Sequence, residues 1–446
     1  MSIELKILEE ILKNSSGEIR FQHHNLGRLL PFFTREPERA KFENGFSTIT
    51  GSLARISINK IGILSKGDKL FKEDFSDSFD LSSIENKDKF LKLFSSSALD
   101  EVYIPKLLAY KKSSGNQSSK GESTIAEFLN HTFKLNENDI WVKFIQNDET
   151  HNLYEKIIME NLRDLKDEKL NLKKFVSIDM PENIIEYFNH DLNNLIRNKT
   201  FFIKNVDVFF RYYYFFIISQ IIMNIDSFDD FKKKDLYFAL DTENISGSRQ
   251  TNNRGYALIK EKSADLLANV DVLDYLNILI PGDKFYNLSQ LTETNFKYSK
   301  KLATDLSEFL IDFLDNNSDE NRYLINENGI KENVKLLRNE LTRKLSKETK
   351  SRYPKSFEAI TTKYFVKRRG RLGNILNVTE ETLLVLTAAI VGPEKMLIKN
   401  VIFELSNRGI TLDHISEREL ISVYEKMNIL EKLSDSGDAQ YVKPIL

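Results

Sequence analysis

The chain has 446 residues, no cysteine, a net charge of −2 and only 17 Gly and 8 Pro. Without cysteine there is no disulfide framework, thiol nucleophile or Cys-ligated zinc or iron–sulfur site. Gly plus Pro at about 6% is roughly half of average usage, which argues against a β-sandwich or barrel and against a collagen-like or disordered chain.

A hydrophobic share of 41% beside 29% charged residues fits a large folded protein, and the length suggests about three domains. The first residues, Met1-Ser-Ile-Glu-Leu, lack the basic and apolar regions of a secretory signal, so a cytoplasmic protein is expected. Ile3, Ile7, Leu8, Ile11 and Leu12 fall near helical spacing and predict a first helix. Residues 1–63 otherwise carry short apolar patches of unclear type, and Ser65–Ser97 is a mixed-charge stretch. Lys111–Ser123 has no apolar anchor and reads as a linker or mobile loop.

Helical stripes dominate from there. Leu153, Ile157, Ile158, Leu162 and Leu165 share one face, and Pro181 opens a segment with Ile184, Ile185, Phe188, Leu192, Leu195 and Ile196 at 3.6-residue spacing. Val208–Ile225 is apolar all round, with Arg211 and Gln220 interrupting it and Asp207 and Asp226 bounding it. That composition predicts a buried core helix rather than a membrane span. Asp241–Gly255 is a polar loop; Ala257–Ile278, Leu302–Leu314 and Val334–Leu345 are further helices.

The last sixth has the clearest punctuation. Thr379 is placed to cap a helix through Ile390, with Glu380 and Glu381 in its first turn. A second helix is expected from Pro393 to Arg408, closed by Gly409. Ile410–Leu412 reads as a strand, and Ser416-Glu-Arg-Glu419 as a capping box opening a third helix to about Asn428. Leu430–Leu433 and Gln440–Ile445 flank the turn 434–438. This order predicts a winged helix. The whole chain therefore reads as mainly α, a multi-helical body with a C-terminal winged-helix-like α+β module. The expected divisions are 1–123, 124–372 and 373–446.

Catalytic signatures are sparse. Gly115–Ser123 contains Gly, Lys120 and Ser, but not in P-loop order. The six histidines form no metal-binding spacing, and Asp74, Asp77 and Asp80 lie in a mixed-charge run rather than on a rigid element. No catalytic residue, metal or cofactor is expected.

Charge gives the strongest signal. Between Lys331 and Leu372 fourteen Lys and Arg stand against four Glu, about +10, so the remainder is acidic. Such asymmetry marks an interaction surface. Tyr353, Phe357, Tyr364 and Phe365 interleave with the cations. Lys363, Lys367, Arg368, Arg369 and Arg371 are the candidate contacts to duplex phosphates. In the polar loop, Arg249 and Arg254 stand beside Gly and Asn residues whose backbone amides can approach phosphate. The C-terminal module has eleven acids and seven bases, and Glu417, Glu419 and Glu425 lie on its third helix. Phosphate neutralisation dominates DNA affinity, so this module reads as a protein-docking or architectural unit rather than the main groove reader.

Several stretches resemble the DptG family. They are Phe209–Gln220, Ser246-Gly-Ser-Arg249 with Arg254-Gly255 and Leu273…Leu276-Asn277, Arg368–Asn377 and Ser434–Leu446. The resemblance covers roughly the C-terminal half; residues 1–150 add little. It implies a subunit of a DNA phosphorothioation-dependent restriction system, acting on DNA that lacks the modification together with DptF-like and DptH-like ATPase subunits. No catalytic motif is carried over. A non-ATPase, DNA-associated scaffold is therefore expected; the rival readings are a metal-dependent nuclease and a pure protein adaptor.

Overall fold

The aromatic helix Lys199–Asn224 is the centre of the molecule. Asn198 starts it by accepting a hydrogen bond from the Phe201 amide, and nearly every side chain after Val206 is buried. Apolar residues on all faces leave such a helix no solvent side, so neighbours must enclose it. Helices Ser47–Ser57, Glu182–Ile196, Tyr256–Ser263, Lys355–Tyr364 and Glu380–Val391 pack around it. By length and composition it is long enough to cross a membrane, yet 94% of its most apolar stretch is buried inside this chain. The two polar interruptions find partners within the chain. Arg211 lies 3.9 Å from the Tyr364 ring centre and donates to Glu381 at 3.1 Å. Gln220 brackets Lys234 with one hydrogen bond in each direction.

The computed structural model describes residues 2–13, 17, 29–61, 70–71, 102–111, 118–167, 172, 175–176, 182–315, 325–326, 329–432 and 440–446. Among the described residues helix accounts for 62% and strand for 8%, so the fold is mainly α. The mixed-charge stretch 65–97, with Asp74, Asp77 and Asp80, lies outside the described residues apart from its positions 70 and 71; so do His23, His24, Pro181 and the turn 434–438.

Among the described residues three sheets punctuate the helices. Lys60–Ile61 (β1) pairs antiparallel with Lys166–Asp167 (β2). Tyr237–Leu240 (β3), Val366–Arg368 (β4), Asn374–Val378 (β5) and Thr411–Leu412 (β7) form one sheet in the order β4-β5-β3-β7. Strand β3 is parallel to both neighbours, with Ala239 opposite Asn377 and Tyr237 opposite Thr411, while β4 and β5 form an antiparallel hairpin. Sequence patterning gave no sign of β3, β4 or β5. The strands are short, and β3 is buried on nearly every residue, so alternation is missing.

The C-terminal region runs helix Glu380–Val391, Met396–Leu397 (β6), helix Ile398–Asn407, helix His414–Lys426, Leu430–Lys432 (β8) and Gln440–Val442 (β9). Its sheet has the antiparallel order β6-β9-β8. Several expected details change. The strand at 411–412 leaves the module and pairs with β3, and β6 takes the third place in the wing sheet. The second helix starts at Ile398 rather than Pro393. Asp413, not Ser416, caps the third helix by accepting from the Ile415 and Ser416 amides. Ser416 is buried and donates to the Phe238 carbonyl at 3.2 Å.

The expected linker differs as well. Residues 112–117 lie outside the described set, but Ser119 begins a 15-residue helix to Phe133, and the division after 123 falls inside it. This first turn is anchored by Gly121: a Cβ there would lie 2.3 Å from the Ala40 amide nitrogen. Backbone contact replaces the apolar anchor that the sequence lacks. The division after 372 falls at the β4–β5 hairpin, within the four-stranded sheet.

Candidate nucleic-acid interface

The basic stretch is built into the body rather than laid over it as an arm. It folds as helices Ile330–Lys344, Lys347–Arg352 and Lys355–Tyr364, followed by β4. The interleaved aromatics anchor it. Tyr353, Phe357 and Phe365 are core residues, and Phe365 stacks on Phe215 of the aromatic helix at 4.3 Å. Tyr364 is covered by Arg211. These rings are therefore not platforms for bases.

Several cations of the stretch serve internal contacts. Lys363 donates to the Phe42 carbonyl at 2.8 Å. Strand alternation sends Lys367 and Arg369 to the same side of β4, and both reach the turn after β3. Lys367 meets the Asp241 carbonyl and carboxylate at 3.0 and 3.1 Å. Arg369 donates to the carbonyls of Leu240 and Glu243 and to Asn377 Oδ1. A guanidinium offers five donors in a fixed fork, so one side chain ties the end of β3 and the turn after it to Asn377.

Arg249 departs furthest from expectation as a DNA contact. It is buried, with its guanidinium 2.8 Å from Glu243 and 2.7 and 2.6 Å from the two Asp413 oxygens. It also donates to Ser416 at 2.8 Å. Burial alone would lower the Arg249 pKa, but the two carboxylates offset this and hold it above its ordinary value. Asp413 is depressed by the same contact, against the effect of its own burial. Arg249 thus ties the polar loop to the start of the module's third helix. In a groove-reading winged helix the first turn of that helix meets base edges; here it packs on β3 and Arg249.

Four of the seven predicted cations are exposed, and one of these, Lys363, is the donor to Phe42. The other three are Arg254, Arg368 and Arg371, and among the described residues none has a carboxylate partner. They come from one end of the sheet. The Arg254 carbonyl accepts from the Tyr237 amide at 2.9 Å, and its guanidinium lies 5.2 Å from the Tyr237 ring centre. The β3–β5 register puts Tyr237 level with Ile375, next to the Arg368–Asn374 pair, and Arg371 sits in the turn that closes the hairpin. A rigid sheet end carrying three uncompensated guanidinium groups suits phosphate oxygens, which Arg meets with paired hydrogen bonds.

Sequence reading missed the ionic junction at Arg408. Its guanidinium meets Asp191 and Glu404, each at 2.6 Å, and its carbonyl accepts from the Tyr212 hydroxyl. An Arg just before a helix-closing Gly gave no signal, because its partner is 217 residues away. Among the described residues no group of three or more His, Asp or Glu side chains is placed to hold a metal ion.

No model of a known protein family matches the chain, and no curated protein matches it either.

Proposed function

We propose that this protein is a non-ATPase, DNA-associated scaffold subunit of a phosphorothioation-dependent restriction system, working in the cytoplasm with DptF-like and DptH-like ATPases on DNA that lacks the modification. The biological setting rests on the sequence resemblance. The observation that carries the DNA contact is the grouping of Arg254, Arg368 and Arg371, exposed and without carboxylate partners among the described residues, at one end of the four-stranded sheet. The acidic winged-helix-like module, with the first turn of its third helix packed on the body, is the docking element for the ATPases.

The test is duplex binding by the purified chain across a salt series. Replacing Arg254, Arg368 and Arg371 with Glu is expected to weaken binding to every duplex sequence. It should also reduce the slope of log K against log salt by roughly 0.9 for each phosphate no longer neutralised. An unchanged slope rejects this surface. Co-expression with the candidate ATPases then tests assembly. A stable complex with no duplex affinity selects the pure adaptor, a reading favoured by the inward commitment of Arg249 and Arg369.

A further inference from the structure

We infer a second phosphate-binding surface on the helix Ile330–Lys344, grouped around Phe228 and joined to the Arg254 end of the sheet by the helix Tyr256–Ser263. This rests on the proposed DNA contact and extends it.

Lys331, Lys335 and Arg338 recur at i, i+4 and i+7, so they share one helix face. All three close on a single ring. The Lys331 and Lys335 ammonium groups lie 5.9 and 5.7 Å from the Phe228 centre, and the Arg338 guanidinium carbon lies 5.7 Å away. Like charges one turn apart on a helix repel, and a ring supplies only part of the compensation a carboxylate would. Acids are close but do not pair with them. The Asp226 carboxylate is held by Lys262 at 2.8 Å, and Arg338 reaches only the Asp226 carbonyl, at 3.2 Å. Exposed Asp229 and Asp230 follow the ring, and Glu332 shares the helix; none forms an ion pair with the three cations among the described residues. The Arg338 Nε is buried with no hydrogen-bond partner. Asp226 and Asp265 act on the Arg338 charge without forming an ion pair with it, so the cluster keeps cationic capacity that its own surroundings use only in part.

Its position relates it to the first site. Arg254 lies two residues before the helix Tyr256–Ser263, and Lys262, at the far end, holds the carboxylate beside Arg338. Eight residues of helix rise about 12 Å. Exposed Lys260 lies between, without a carboxylate partner among the described residues. The span from Lys331 to Arg338 is about 10 Å, or about three base-pair steps at ~3.4 Å each. The two clusters therefore lie within one helical turn of a duplex, which is about 34 Å.

The experiment compares the full chain, Lys331→Gln with Lys335→Gln, and the Arg254, Arg368 and Arg371 to Glu variant on one duplex of about 30 base pairs over a salt series. Both lysines are exposed, and thermal unfolding checks that the Gln variant keeps its stability. The Gln variant is expected to lower the salt slope by about 2, additively with the Glu variant. If the Glu variant lowers the slope and the Gln variant does not, the second surface is overturned while the first stands. If the full chain does not bind the duplex, both fall.

Discussion

Arg408 and Asp191 form a buried two-pronged ion pair, with Nε and Nη2 each 2.6 Å from a carboxylate oxygen. The pair joins the body helix Glu182–Ile196 to the end of the module's second helix, and the Tyr213 hydroxyl donates to the same carboxylate at 2.6 Å. Removing the Asp191 charge leaves the buried Arg408 guanidinium with only Glu404, on its Nη1 side, as counter-ion. Asp191→Asn is therefore expected to cost roughly 3–5 kcal/mol of stability, read by denaturant unfolding near neutral pH. A loss below about 1 kcal/mol would show that the junction bears little of the fold's stability.

The same pair sets a response to acid. Burial pushes the Asp191 pKa up, but Arg408 and the hydrogen bonds to the carboxylate hold it below the ordinary 3.8. Asp413, paired with Arg249, is depressed in the same sense. A carboxylate depressed on folding stabilises the protein above its unfolded pKa, and that contribution is lost as pH falls through the folded value. The gap in stability between the native chain and Asp191→Asn should thus be full at pH 6 and shrink below about pH 4. A gap constant down to pH 3 would contradict this.

Arg249 and Arg371 are expected to separate structural from surface cations. Arg249→Ala leaves Glu243 and Asp413 facing each other without their cation, so a loss of about 3 kcal/mol is expected. Arg371→Ala removes an exposed side chain and should change stability by less than about 0.5 kcal/mol. On duplex DNA the order reverses: Arg371→Ala lowers the salt slope by about 0.9, and folded Arg249→Ala leaves it unchanged. Paired unfolding and salt-titration measurements decide.

Gly121 and Gly409 hold close approaches that no other residue allows. A Cβ on Gly121 meets backbone at 2.3 Å. On Gly409 it meets the Phe216 ring at 2.4 Å, with φ already at +91°. Gly121→Ala and Gly409→Ala are each expected to cost about 1–3 kcal/mol, and Gly409→Ala should also loosen the module from the aromatic helix. Amide exchange in the helices Ile398–Asn407 and His414–Lys426 would show it; unaltered exchange would refute it.

Much of the helical body was legible locally. The stripe from Ile184 to Ile196, the all-round apolar stretch after Val208 and the Thr379 cap each carry their instruction within a few residues, and each forms the expected element. The candidate site was legible only as composition. Neighbouring cations of one run take opposite roles: Arg369 closes β3, whereas Arg368 faces solvent.

By itself, the sequence determined that this chain is mainly helical, built on one enclosed aromatic helix, with a basic stretch ahead of an end that mixes helices and short strands. Periodicity, capping and charge are local properties. Only the tertiary structure decided which charges remain for a partner. Segments 237–240, 366–378 and 411–412 meet in one sheet, and ion pairs such as Arg249–Asp413 and Arg408–Asp191 span more than 150 residues. Whether a cation is spent inside the fold depends on partners brought close by that long-range packing, and a run of basic residues does not encode it.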